Sequence, residues 1–312
     1  MLATYKEVME WVPACAGMEL GGSRMATVME RAPAAQGFEI RPLSDVAGAE
    51  VIGLDLRRPL DPATRQAVYD AFVRHHVLAF RGQDLTKDEQ VAFTEQFGTL
   101  ERHVARNRGV GDHPLVHIVH NLGPDGKPSG KVASQKWHTD KSFRELPSLA
   151  TILHARTMPP NGGDTCFANM ILAYEALSDA EKVELDGVGV IHSWELSCQK
   201  AGRQASPEEI ADAPPMTHPL VRTQPESGSK SLFMGEHASH LDDRSFADGR
   251  DRLAALEAHA TQERFIYRHH WRPGDVLMWD NRCLLHRADA NFEAAKYKRV
   301  LHRTCLRGTA PA

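Results

Sequence analysis

Hydrophobic positions in this chain fall mostly into short runs that are bounded by turn residues, a pattern typical of β-strands. Few of these runs alternate with helices in a βαβ rhythm. The pattern therefore favours a jelly-roll-type β-sandwich, mainly β, with helices packed outside. The predicted extended segments are residues 37–55 (short strands with a turn), 76–80, 149–156, 165–167, 230–235, 265–271, 275–279 and 299–306.

Helix starts are marked by capping residues at several places. Asp61-Pro62 predicts a helix with proline at its first position, and Thr86 with Glu89 forms a capping box before a helix that should end at Gly98. Further helices are predicted from 178 and 206 and over 250–261. Residues 101–134 and 197–215 show little periodicity otherwise, so we expect long loops there, the first of them a loop or lid.

Composition indicates a soluble globular protein. The 312 residues are 42% hydrophobic and 25% charged, and the net charge of −4 with a pI near 6.5 predicts neither nucleic-acid nor membrane partners. The five cysteines are widely spaced and form no C-x-x-C pair, which favours a reducing compartment. No apolar run could span a bilayer, and residues 1–24 lack the pattern of a secretory signal. We expect a cytoplasmic protein with a poorly ordered arm (1–24, one short helix near 5–12) and a single domain (25–312).

One short motif indicates a metal site. His138 and Asp140 are two positions apart, so their side chains lie on the same face of an extended segment. With a remote histidine such as His286 they would complete the two-histidine, one-carboxylate set that holds ferrous iron and leaves three positions open. An isolated H-x-D is weak evidence in a chain with 17 histidines, and the residues could simply be hydrogen-bonded polar groups of a sandwich.

Two arginines strengthen the metal interpretation. Arg299 and Arg303 lie four apart in a strand-like segment downstream of His286. A guanidinium there can bind a carboxylate through two hydrogen bonds, as a 2-oxo acid chelating the metal would require. The alternatives are ordinary ion pairs for both arginines.

In these and further segments the chain resembles the taurine dioxygenase (TauD/TfdA) family of Fe(II)/2-oxoglutarate-dependent dioxygenases. The resemblance covers about residues 37–308, and within the family it is greatest to the 2,4-dichlorophenoxyacetate dioxygenase branch, in 232–240 and 259–269. The segments that carry it are Phe80-Arg81-Gly82-Gln83, Trp137-His138-Thr139-Asp140, Gly162-Gly163-Asp164-Thr165, Trp279-Asp280-Asn281-Arg282 and residues 286–303.

The resemblance implies a double-stranded β-helix, Fe(II), 2-oxoglutarate and O₂. It implies that His138, Asp140 and His286 are the iron ligands, and that Thr165 and Arg299 bind the distal carboxylate of 2-oxoglutarate. The interval from His286 to Arg299 is longer than in the herbicide-degrading relatives, which affects the register of both arginines.

For the substrate, the resemblance implies contacts from Arg303 to an anionic group, from His103 as a donor, and from Trp271 in the pocket wall. Thr165 and Trp271 could instead be ordinary strand and core residues, and His103 an exposed loop residue. We expect a small anionic substrate and hydroxylation coupled to release of succinate and CO₂. The family also allows a homo-oligomer, although no interface pattern is visible in the sequence.

The preferred substrate is an aryloxyalkanoate such as 2,4-dichlorophenoxyacetate, cleaved to a phenol and glyoxylate. Within the same chemistry the alternative is a taurine, alkylsulfonate or alkyl sulfate dioxygenase. From other classes, a non-catalytic jelly-roll protein that binds a metal and ligand, or a zinc hydrolase, could use the same ligand types.

Overall fold

The structure is a computed structural model that describes residues 37–101 and 113–312. Within these ranges the strands are β1 (Glu39–Pro42), β2 (Ala49–Ile52), β3 (Val77–Phe80), β4 (His117–His120), β5 (Ser148–Thr157), β6 (Thr165–Asn169), β7 (Gly189–His192), β8 (Met216–Pro219), β9 (Val221–Thr223), β10 (Lys230–Leu232), β11 (Ala238–Leu241), β12 (Ile266–His269), β13 (Val276–Asp280), β14 (Leu284–Ala288) and β15 (Val300–Arg307). The α-helices are α1 (Pro62–His75), α2 (Lys87–Glu95), α3 (Met170–Glu175), α4 (Asp179–Leu185), α5 (Trp194–Lys200), α6 (Pro207–Asp212) and α7 (Phe246–Ala260).

The largest sheet has the strand order β1-β2-β3-β13-β5-β15-β4. Its neighbours are antiparallel except for the parallel pair β2–β3. A smaller antiparallel sheet, β12-β6-β14, contributes to the same apolar cluster as the large sheet, and this cluster includes Phe167, Trp279 and Leu301. Two more small sheets, β11-β7-β8 and β10-β9, complete a sheet-rich architecture with flanking helices, as the sequence predicted.

Helices cover the outer face of the large sheet. Phe72 of α1 and Phe93 of α2 pack with Phe80 of β3 in a second apolar cluster, and the Phe80 and Phe93 rings meet edge to face with centroids 5.5 Å apart. A third cluster joins α3 and α7 to β7, β10 and Leu285 of β14. The large sheet is therefore buried on both faces, which makes its central strands β5 and β13 rigid supports for side chains that project between the sheets.

The predicted helix starts are confirmed by their caps. Asp61 accepts hydrogen bonds from the first turn of α1, and the capping boxes of α2, α4 and α6 are all formed. Two boundaries differ from the prediction. Helix α2 ends at Glu95 rather than near Gly98, and α7 begins at Phe246 because Ser245 caps it.

The prediction of two long irregular segments was partly wrong. Residues 101–134 contain β4, which pairs with residues Val300–Arg303 of β15, and α5 enters the 197–215 region. Strand β4 is short and depends on its pairing with a strand that is distant in sequence, whereas α5 has a local cap, the Ser193 side chain. The predicted arm 1–24, with its short helix, lies outside the described residues, and the single-domain assignment stays a prediction. No helix in the described ranges is long and apolar enough to cross a membrane.

Phe93→Ala should lower the free energy of unfolding by about 3–5 kcal/mol, because it leaves a cavity beside Phe80 and Phe97. Val183→Ala on α4 is the control: that side chain is 77% exposed and should change stability by no more than about 0.5 kcal/mol. Urea denaturation of the three proteins measures both effects. Equal stabilities of the two variants would contradict the placement of α2 against the large sheet.

Candidate metal and co-substrate site

Backbone pairing brings two of the predicted metal ligands together. The His138 N–H donates to the His286 carbonyl at 3.1 Å, and the His286 N–H donates to the His138 carbonyl at 2.8 Å. The two imidazole centroids are consequently 4.2 Å apart. Asp140 follows two residues later, and one donor atom from each of these three buried side chains lies within 4.8 Å of the others. We call His138, Asp140 and His286 the metal group.

The protonation of the metal group suits a divalent cation. His138 Nδ1 lies 2.8 Å from the Lys136 carbonyl, which can only accept a hydrogen bond, so Nδ1 is the donor and Nε2 is the nitrogen that is available to a metal. Burial lowers the pKa of His286 well below its ordinary value, so this ring is neutral. Burial would raise the pKa of Asp140, but the nearby Arg303 guanidinium and the other polar groups around the carboxylate, the Thr151 hydroxyl among them, together hold that pKa below the ordinary value. Two imidazoles and one carboxylate are a ligand set that fits Fe(II).

A layer of polar side chains behind the metal group fixes Asp140. The Thr151 hydroxyl donates to Asp140 Oδ2 at 2.6 Å, and the Asn281 amide donates to that hydroxyl at 3.0 Å. Asn281 Oδ1 also accepts from the Asp140 N–H at 3.3 Å. Because the Asn281 amide N–H donates to a lone pair of the Thr151 hydroxyl oxygen, the hydroxyl proton is directed to the Asp140 carboxylate. Sequence reasoning quoted Asn281 in a motif but gave it and Thr151 no role, since a polar residue in a strand carries no signal of its partner.

Arg299, which the resemblance assigns to the co-substrate, lies immediately before β15 and next to Thr165 of β6. Its Nε donates to the Gly163 carbonyl at 2.9 Å, and its Nη2 lies 3.4 Å from Thr165 Oγ1. Arg299 is 4% exposed, and burial lowers the pKa of its guanidinium to about 10. No carboxylate of the described residues forms an ion pair with it. A buried cation without a counter-ion is costly, so the arrangement favours an anionic ligand.

The turn before Thr165 needs its two glycines. Gly162 and Gly163 have φ of +74° and +72°, and a Cβ on Gly162 would overlap the Asn291 carbonyl oxygen. Asn291 sits in the lengthened interval between His286 and Arg299, where its side chain accepts from the Gly163 N–H at 2.8 Å and donates to Asp164 at 2.8 Å. The long interval is thus fastened to this turn.

Asn121 fixes the other end of that interval. Its Oδ1 accepts from the Arg299 N–H at 2.8 Å, and its Nδ2 donates to the carbonyls of Ala294 and Tyr297, both at 2.9 Å. The extra residues therefore leave Arg299 beside Thr165, and these are the two residues that the resemblance assigned to the co-substrate.

Of the predicted substrate residues, Arg303 lies next to the metal group and Trp271 does not contact it. Arg303 Nη1 is 3.4 Å from Asp140 Oδ1, and its side chain keeps 18% exposure. The Trp271 indole N–H donates to Thr165 Oγ1 at 2.9 Å, on the Arg299 side. His103 falls outside the described residues. The assignment of Arg303, Trp271 and His103 to substrate binding stays a prediction.

An aromatic wall that the sequence analysis did not assign to the site lies near His138. It consists of Phe143, Trp194 and His237. The Phe143 ring centroid is 4.8 Å from that of Trp194 and 4.9 Å from that of His237, and the rings of His237 and His138 are 6.3 Å apart. The position of Phe143, three residues after Asp140, was the one available signal.

Comparison with known proteins matches residues 39–305 to the family described as taurine catabolism dioxygenase TauD, TfdA family. The chain belongs to the TauD/TfdA family. It is 40% identical over 250 residues to the α-ketoglutarate-dependent 2,4-dichlorophenoxyacetate dioxygenase of Burkholderia sp. (strain RASC), covering 76% of this chain and 84% of that protein. It is 32% identical over 293 residues to the α-ketoglutarate-dependent sulfate ester dioxygenase of Pseudomonas putida, covering 90% and 93%.

Solved structures of TauD/TfdA relatives agree with the fold. The crystal structure of AAD-2 in complex with Mn(II) and N-oxalylglycine matches with a TM-score of 0.75 and 35% identity, over 88% of this chain and 98% of that one. The predicted jelly roll is confirmed. So is the predicted enzyme class, an Fe(II)- and 2-oxoglutarate-dependent dioxygenase. The role of each site residue stays a prediction.

Thr151→Val should weaken binding of Mn(II) by about 10- to 100-fold, because Asp140 loses the hydroxyl that orients its carboxylate. Thr304→Val is a matched control, since this buried hydroxyl on β15 bonds to Thr94 at 2.8 Å instead. Isothermal titration of each variant with Mn(II) gives the affinities. Equal weakening in both variants would point to a general loss of packing and contradict the role of Thr151.

Proposed function

We propose that this TauD/TfdA dioxygenase hydroxylates a small organic anion and that aryloxyalkanoates are its substrates. One observation carries the proposal: the metal group lies in the same interior as Arg299, a buried guanidinium that has no counter-ion among the described residues. The fit of the donor set to a divalent cation supports Fe(II) at His138, Asp140 and His286. Bound there with 2-oxoglutarate, iron supplies the activation of O₂ that yields succinate, CO₂ and a hydroxylated product.

The protein contributes orientation. Arg299 can bind the distal carboxylate of 2-oxoglutarate, and Thr165 can add a hydroxyl donor, because both face the same space beside Gly163. Asp140, fixed by Thr151, keeps one oxygen facing Arg303. These fixed polar groups hold the co-substrate and metal in one geometry without reorganisation during the reaction.

The substrate class is inferred from charge and shape together. Arg303 offers a guanidinium with remaining exposure next to the metal group, which suits a carboxylate. The aromatic wall of Phe143, Trp194 and His237 suits a flat apolar ring. An aryloxyacetate joins both features through an ether oxygen. Hydroxylation of the carbon between that oxygen and the carboxylate gives a hemiacetal, which collapses to a phenol and glyoxylate.

Sulfate esters are a second candidate, because the relatives named as sulfate ester dioxygenase and alkylsulfatase match 90% and 88% of the chain. A sulfate group would fit Arg303 as well as a carboxylate does. The aromatic wall favours the aryloxy substrate over a short alkyl one such as taurine.

A cytoplasmic location stays a prediction.

Aerobic incubation with Fe(II), ascorbate, 2-oxoglutarate and one substrate at a time tests the proposal. The panel contains 2,4-dichlorophenoxyacetate, (R)- and (S)-phenoxypropionates, hexyl sulfate and taurine, with succinate as the common product. We expect succinate and a phenol with an aryloxyalkanoate. Succinate formation only with the sulfur compounds would reject the aryloxy assignment. Turnover with zinc and without 2-oxoglutarate would contradict the oxygenase chemistry, and ligand binding without turnover would favour the non-catalytic alternative.

Arg299→Ala should raise the KM for 2-oxoglutarate by at least about tenfold, because the distal carboxylate loses a charge-assisted hydrogen bond. Arg303→Ala should instead raise the KM for the aryloxy substrate and leave that for 2-oxoglutarate nearly unchanged. Arg307→Ala, at the exposed end of β15, serves as the control. Steady-state kinetics with each substrate varied in turn separates the two roles, and an exchange of the two effects would show that the assignments are reversed.

A further inference from the structure

The Thr165 hydroxyl has a donor on each side. Thr165 Oγ1 accepts from the Trp271 indole N–H at 2.9 Å, and Arg299 Nη2 lies 3.4 Å away as a second donor. A hydroxyl oxygen has two acceptor positions and one proton. With both acceptor positions facing N–H groups, the proton can only be donated elsewhere. No hydrogen bond from this hydroxyl to another described residue is formed, although Thr165 is 3% exposed.

The indole is held firmly in this orientation. Trp271 is 8% exposed, and the ring of His269 packs against it edge to face with centroids 4.7 Å apart. His269 pairs directly across the small sheet with Thr165, and its Nε2 lies 3.4 Å from Asp275 Oδ2. Asp275 in turn forms an ion pair with Arg81. The contact between Trp271 and Thr165 is therefore fixed from behind by packing and by a buried carboxylate.

We propose that Trp271 is a positioning residue for 2-oxoglutarate: its indole N–H occupies the Thr165 oxygen, so the hydroxyl proton is aimed at the distal carboxylate. This inference rests on the proposed function, in which Thr165 and Arg299 bind that carboxylate. It gives Trp271 a role different from the substrate wall that the sequence suggested. It also connects Arg81, which lies in a segment of the family pattern, to the co-substrate through Asp275 and His269.

The test measures binding of N-oxalylglycine to the Mn(II)-loaded protein by isothermal titration. Trp271→Phe keeps the ring and removes the N–H, so it should raise the Kd about five- to tenfold, since the Thr165 hydroxyl is then free to rotate. In a Thr165→Val background the same change should alter the Kd less than twofold, because there is no hydroxyl to orient. The KM for the aryloxy substrate should stay the same.

Ser231→Ala is the matched control. It also removes one buried hydrogen bond, from the Ser231 hydroxyl to the Arg282 carbonyl at 3.0 Å, but leaves Trp271 and His269 untouched. We expect its Kd for N-oxalylglycine to be that of the unmodified protein. Circular dichroism and the Mn(II) affinity establish that each variant is folded and loaded.

The outcomes separate the two levels of the proposal. If the unmodified protein fails to bind N-oxalylglycine, the proposed function is rejected, and this inference with it. If it binds and Trp271→Phe binds equally well, only the role of Trp271 is overturned. Weakening by Trp271→Phe that persists in the Thr165→Val background would also overturn it, because the indole would then act independently of the hydroxyl.

Discussion

The backbone hydrogen bonds between His138 and His286 are the interaction on which this site depends. They join a loop that precedes β5 to β14 of the smaller sheet, and so they bring two imidazoles together from segments far apart in sequence. Side-chain contacts alone would leave these rings free to separate, whereas a paired backbone restricts both at once. Because β14 also pairs with β6, the bridge ties the metal group to the strand that carries Thr165.

Hydroxyl groups whose protons are directed by a neighbour occur at both ends of the site. The Asn281 amide occupies the oxygen of Thr151, whose proton goes to Asp140. The Trp271 indole occupies the oxygen of Thr165 in the same way. In a buried site this arrangement matters, since an undirected hydroxyl would have to be ordered each time a ligand binds, at an entropic cost.

Much of the framework could be predicted from sequence because its signals are local. Capping residues such as Asp61 and Thr86 mark helix starts through bonds to the next few amides, and the apolar run of β3 needs no distant partner to be recognised. Strand β4 was missed because it is only four residues long and its pairing with β15 is a long-range contact. The metal group was found from spacing and resemblance. The supports of Asp140 were not, because the sequence does not show that Thr151 and Asn281 meet.

The loop between β14 and β15 has a consequence for how the fold can vary. Asn291 fastens it to the glycine turn near one end, while Asn121 holds its other end through the Arg299 backbone and two carbonyls. Between such anchors, added residues bulge outward and the flanking strands keep their alignment. Proteins with this fold can therefore differ in the length of this loop and in the surface that it forms. Arg299 keeps its place beside Thr165 in each case, because the anchors lie between the loop and the site.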